Sequence, residues 1–159
     1  MKKNILIIFC AVFALVAKAQ TNSEDLKYLQ GMFGMEKKQL VSDRMKISSA
    51  DSEKFWKMYE EYELFRSEIA ERRAENILQY INNFKSLSPE KVDEILTNTF
   101  EINDESGKLM QKTYKSMTKE LSPLIAGQFY YVEMYVDALA RVRMAEMLPH
   151  IGPAIPTQK

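Results

Sequence analysis

Apolar side chains recur along this chain in runs with helical spacing, and short breaks carrying a serine separate one run from the next. The second run places Phe55, Tyr59, Tyr62, Ile69, Ile77, Tyr80 and Phe84 on one stripe. The third repeats the pattern with Val92, Leu96, Thr99, Ser106, Met110, Thr113 and Met117, and the fourth with Phe129, Val132, Val136, Leu139 and Val142. Such periodicity predicts amphipathic helices. The first run, with Leu26, Leu29, Met32 or Phe33, and Leu40, is broken by Gly31 and Gly34. Each glycine costs a helix interior about 1 kcal/mol relative to alanine, so this helix is expected to be weak or kinked.

The breaks are Ile47-Ser48, Leu87-Ser88 and Leu121-Ser122. Ser88 and Ser122 are each followed by proline, a helix-start signal: the serine oxygen takes an unbonded backbone N–H, and proline has none to leave unbonded. Helices are therefore expected over about 23–47, 49–86, 89–121 and from 123 to just before Pro149, which forbids continuation. Gly152, Pro153 and Pro156 then mark an extended tail, 152–159. The fold class is all-α, four helices arranged as long antiparallel hairpins. At 1.5 Å per residue the second and third helices would reach roughly 55 and 45 Å. A compact domain of this size has a diameter nearer 35 to 40 Å, from a radius of gyration of about 14 Å. Either a helix breaks, with 70–76 the candidate because Arg72, Arg73 and Asn76 thin the stripe, or the protomer is elongated and pairs as a homodimer. The second option is the expectation.

Lys2 and Lys3 precede an apolar run, 5–16, and Ala17-Lys18-Ala19 supplies the small residues of a cleavage site. This reads as a signal peptide, 1–19, cleaved after Ala19, the apolar run being short of the ~20 residues a spanning helix needs. The expected location is the periplasm, and residues 20–151 form the expected single domain. Cys10 is the only cysteine, so the processed chain would fold without disulfides. Loss of Lys2, Lys3 and Lys18 from the 22 basic side chains leaves 19 against 22 acidic ones, a net charge of −3. That balance gives no attraction to nucleic acid.

Catalytic and metal chemistry find little material. His150 is the only histidine and lies in the tail, so a nucleophile has no histidine base, and no zinc or nickel ligand set assembles from one chain. Glu60, Glu61, Glu63, Glu68 and Glu71 read as the solvated face of a helix. There is no glycine-rich phosphate loop, so neither an enzyme, a nucleotide nor a cofactor is expected. Met32 and Met35 have the spacing of a Cu(I) thioether pair, but that spacing also simply lines a helix face. Nine of the ten methionines would survive processing. Met45, Met58, Met110, Met117, Met134, Met144 and Met147 read as core filling. Met32, Phe33 and Met35, flanked by glycines, read equally as core or as an adaptable binding patch. Trp56, Phe65, Tyr130, Tyr131 and Tyr135 cannot all share one face with their neighbours, and are candidates for a dimer seam or the hairpin core, with partner contact for the remainder.

The breaks also carry a resemblance. Ile47-Ser48-Ser49-Ala50-Asp51 and Leu87-Ser88-Pro89-Glu90-Lys91 resemble the LTxxQ motif of the Spy/CpxP family of periplasmic proteins, which is physically a capping box. Ser48 and Asp51 keep both members of the box; Ser88 and Ser122 keep the cap. Phe55-Trp56-Lys57-Met58-Tyr59-Glu60-Glu61-Tyr62, the LSPEK turn and the segment 121–133 are similar to the Bacteroidetes-type branch of that family, sometimes labelled sensor of an extracytoplasmic sigma factor. The resemblance implies an elongated, curved, dimeric protomer. It implies an exported, ATP-independent chaperone that binds unfolded or misfolded envelope proteins, or, as the alternative, an envelope-stress signalling accessory that binds one sensor protein.

Overall fold

A computed structural model of the chain describes residues 37–151, apart from the side chains of residues 143 and 147. The described residues form four α-helices: α1 over 37–44, α2 over Ser49–Asn83, α3 over Pro89–Glu120 and α4 over Pro123–Met147. A 3-10 turn, Phe84–Ser86, closes α2. The chain divides into two compact units after Leu40. Of the first unit only 37–40 are described. The second, from Val41 onward, holds the long helices. The expected signal peptide, most of the expected first helix and the tail lie outside the described residues.

Each of the three long helices starts at the serine of the break before it. Ser48, Ser88 and Ser122 have extended backbones and accept hydrogen bonds from the N–H groups of Asp51, Lys91 and Ile125, each at 3.2 Å. The box at Ser48 is closed by the serine hydroxyl, which also donates to Asp51 Oδ2 at 2.7 Å. Pro89 and Pro123 occupy first helical positions, where a missing N–H costs nothing. Ser122 carries the reversal from α3 into α4, so Ser122→Ala is expected to lower unfolding free energy by about 1 kcal/mol in chemical denaturation, with helix content unchanged. A change below about 0.3 kcal/mol would show that packing alone sets this boundary.

No break interrupts α2. Its 35 residues run straight through 70–76 and span about 50 Å. It pairs antiparallel with α3, as Arg72 with Glu105 and Lys54 with Glu120 show by their opposing order. The next reversal lays α4 along α3 and parallel to α2, so that Phe55 meets Phe129, Tyr62 meets Glu133 and Tyr80 donates to the Pro149 carbonyl. Packing follows chain order, α2 on α3 and α3 on α4, with large side chains bridging α2 to α4.

The core gathers around the turn between α3 and α4. Phe55, Tyr59 and Tyr62 from α2, Met117 from α3, Ala126 and Phe129 from α4, and Val41 and Met45 are buried together. Phe129 is fully buried and meets Phe55, Tyr59 and Tyr62 edge-on, with ring centroids 6.0, 6.2 and 5.3 Å apart. That edge-to-face geometry places positive ring edges on negative faces.

Three stripe assignments differ from the expectation. On α3 Thr113 and Met117 of the expected stripe are buried, but Leu96 is exposed and Ile95 and Ile102 are buried instead, because α3 turns that side to α2. Leu139 and Val142 continue the α4 stripe but lie exposed, since the core is concentrated at the other end of that helix. Met134 is exposed rather than core, while Met45 and Met117 are buried and Met58, Met110 and Met144 half-buried. Asn76, read as a gap in the α2 stripe, is buried: its amide donates to the Ile95 carbonyl at 3.0 Å and to Thr99 Oγ1 at 2.9 Å.

Candidate protein-binding surface

Polar contacts between the helices fix which faces turn outward. Beside the aromatic core, Tyr62 donates to Glu133 Oε2 at 2.9 Å, both residues buried. Burial, followed by the Glu133 charge, pushes the Tyr62 phenol far above its ordinary value. One helical turn along, Arg66 grips both oxygens of Glu63, at 2.9 and 3.0 Å. Burial works against the Arg66 charge, but the Glu63 carboxylate outweighs it, so the guanidinium is held more firmly protonated than usual. Arg73 donates to Asn103 Oδ1 at 2.8 Å, and burial with the nearby Arg141 charge lowers its pKa. A one-residue slip between the helices would strand the groups that bond across them, Tyr62 with Glu133 and Arg73 with Asn103, so these contacts favour one register.

With that register set, large apolar side chains are left exposed on all three long helices: Leu64 and Phe65 on α2, Leu96, Phe100 and Tyr114 on α3, and Leu124, Tyr130, Tyr131, Met134, Tyr135, Leu139 and Val142 on α4. Phe100 is 66% exposed and Leu124 72%. Charged residues border them, and Lys112 sits over the Phe65 ring at 5.8 Å. α4 is apolar on two sides, which in a helix signals that both are meant to be covered. Its inner side, with Ala126 and Phe129, meets the core; its outer side, with Leu124, Tyr131, Tyr135 and Val142, meets solvent. At the start of α4 a shallow groove is lined by Arg44, Leu124, Gln128, Tyr131, Val132 and Tyr135, with the Arg44 guanidinium 5.6 Å from the Tyr135 ring centre.

The residues singled out in the sequence are distributed as follows. Trp56 is half-buried, edge-on to Phe55 at 5.2 Å and Tyr59 at 5.3 Å, and packs against the core. Phe65, Tyr130, Tyr131 and Tyr135 are exposed, the last three together on α4, where Tyr130 and Tyr131 meet edge-on at 5.7 Å. Met32, Phe33 and Met35 lie outside the described residues. Sequence reasoning missed Phe100 and the Arg44 groove. Leu124 was legible in principle, because it precedes Tyr131 by two helical turns. Among the described residues no cluster of three or more His, Cys, Asp or Glu is placed to hold a metal, and no helix is long and apolar enough to cross a membrane.

No protein-family model, no curated protein and no solved structure matches the chain.

Proposed function

We propose that this chain is an exported, ATP-independent binder of unfolded or misfolded envelope proteins, a chaperone in the manner of the Spy/CpxP family. The observation that supports the reading most is the exposure of large apolar side chains, Leu64, Phe65, Leu96, Phe100 and the α4 set, on helices whose remaining surface is charged. On α4 these side chains adjoin, Tyr130 against Tyr131 and Leu124, Tyr131 and Tyr135 along one groove, and contiguous exposed apolar surface marks a site of association. Surrounding charges draw a client in at range, and separate apolar contacts hold it without the tight, centred pocket that a single partner fills. Such a surface needs no nucleotide, because release follows from weak individual contacts.

The test is light scattering from a reduced, aggregating model protein, with and without the purified chain. Suppression at equimolar ratio is expected, and Phe100→Asp is expected to weaken it severalfold while shifting unfolding free energy by no more than about 0.5 kcal/mol, as exposed substitutions do. An absence of suppression removes the chaperone reading. Recovery of one envelope protein at fixed stoichiometry, in place of many unfolded clients, would favour the signalling accessory.

A further inference from the structure

The groove at the start of α4 contains one residue that the packing of this chain does not call for. Gly127 lines it and sits inside α4, where glycine weakens a helix relative to alanine. No close neighbour among the described residues demands it: a Cβ built there would meet nothing within 4 Å. Pro123, Gly127, Tyr131 and Tyr135 follow one another at steps of four and so form one ridge along the groove. The missing side chain leaves a notch in that ridge, between Pro123 and Tyr131 and beside Leu124. Leu124 and Tyr131 are 72% and 65% exposed, so the notch is open to solvent. A glycine of this kind lets a ligand approach the helix closely.

The rest of the groove narrows what that ligand is. Among the described residues that line it, Arg44 alone is charged, and no carboxylate joins it there. The Arg44 guanidinium rests on the Tyr135 ring and is in no ion pair among the described residues. An arginine braced by a ring keeps its fork of N–H groups for a carboxylate. Gln128, one residue on from the notch, is exposed and presents an amide that both donates and accepts. An extended backbone has groups free to meet it, whereas a helical one has bonded them within itself. From Gly127 to Tyr135 is eight residues, about 12 Å along the helix. An extended chain covers that distance in about four residues at ~3.3 Å each, and an even separation keeps both side chains on one face of it.

We propose that this groove is a binding site for an extended protein segment that carries an apolar side chain and, four residues from it, an acidic one. The apolar side chain enters the notch over Gly127, between Leu124 and Tyr131. Gln128 bonds the segment's backbone, and the acidic side chain meets Arg44. The site thereby selects among unfolded segments by charge as well as by apolar content, favouring acidic over basic ones. This names the client feature read at one part of the surface, and so rests on the client-binding function proposed above.

The test is fluorescence anisotropy of a labelled peptide titrated with the purified chain. The probe has phenylalanine at its centre, glutamate four residues to either side, serine and glycine elsewhere, and both ends capped. Saturable binding is expected. Replacing both glutamates by glutamine should weaken it about threefold to fivefold at low ionic strength, the range of an exposed ion pair, and less at high salt. Arg44→Glu should weaken the glutamate probe by as much and favour a probe with lysine in those places. Gly127→Ala should raise the melting temperature yet weaken the probe severalfold, an opposition that a merely structural glycine would not show. Gly127→Leu, which fills the notch, should abolish binding with helix content by circular dichroism unchanged. Binding indifferent to the probe's charge or to Gly127→Leu overturns the proposal. So does binding that requires an uncapped C-terminal carboxylate, or a fall in mass by sedimentation when the probe is added, which would put a second copy in the groove. Suppression of aggregation without probe binding would refute the groove and leave the proposed function standing; probe binding without suppression would do the reverse.

Discussion

Phe129→Ala is expected to cost about 3–5 kcal/mol, the largest single loss in the molecule, and to leave the second unit close to unfolding. Phe129 is fully buried and contacts three aromatic rings of α2. Truncation forfeits the transfer free energy of the ring and leaves a cavity that those rings cannot collapse into without giving up their own edge-on contacts. The consequence is disproportionate because the backbones of α2 and α4 are held apart, and large side chains join them. A domain of this size has about 5–15 kcal/mol in total. Urea denaturation followed by circular dichroism measures the loss, with exposed Leu64→Ala as a control expected to stay within about 0.5 kcal/mol. A cost for Phe129→Ala below about 1 kcal/mol would mean that α4 is not anchored by this cluster.

Tyr62→Phe is expected to cost about 1.5–3 kcal/mol, although it removes one oxygen and opens almost no space. The phenol is a donor to the buried Glu133 carboxylate, and a hydrogen bond to a buried charge is worth more than one between neutral groups. The same change in a Glu133→Leu background should cost under about 1 kcal/mol, because no carboxylate remains to be deprived. Equal costs in both backgrounds would assign the loss to packing. The pair also gives stability a defined pH dependence. Burial and then Glu133 raise the Tyr62 pKa far above the ordinary phenol value of 10.0, so the folded protein keeps a proton that the unfolded chain releases. Its contribution is complete below pH 10 and is lost as pH rises above that value. Tyr59 is raised in the same direction by burial and then by Glu63, so alkaline loss in Tyr62→Phe should be shallower but not absent.

The parts legible in the sequence were those determined locally. Ser48, Ser88 and Ser122 announced helix starts because a cap and the residues it serves lie within one turn, and the caps formed where expected. The stripe Phe55, Tyr59, Tyr62 marked the core side of α2 because the helical period holds whatever the neighbours do. Asn76 misled: a polar residue in an apolar stripe looks like a gap until a second helix presents a carbonyl and a hydroxyl to it. Leu96, Met134, Leu139 and Val142 misled in the opposite sense, since their types suit a core that does not extend as far as they do. Phe100 and the groove beside Arg44 carried no local signal.

The sequence by itself determined that the described chain is helical, where each described long helix begins, and that Phe55, Tyr59 and Tyr62 form the core stripe of α2. Caps, prolines and the 3.6-residue period act over a few residues and need nothing else. Only the tertiary structure decided which side of α4 is covered. That helix is apolar on two sides, and the choice between them rests on Phe55, Tyr59, Tyr62 and Met117, brought from other helices to one side, while Leu124, Tyr131 and Tyr135 were left on the other. Burial is a property of neighbours, and the α2 neighbours of α4 are some seventy residues away along the chain, as in the pairing of Tyr62 with Glu133.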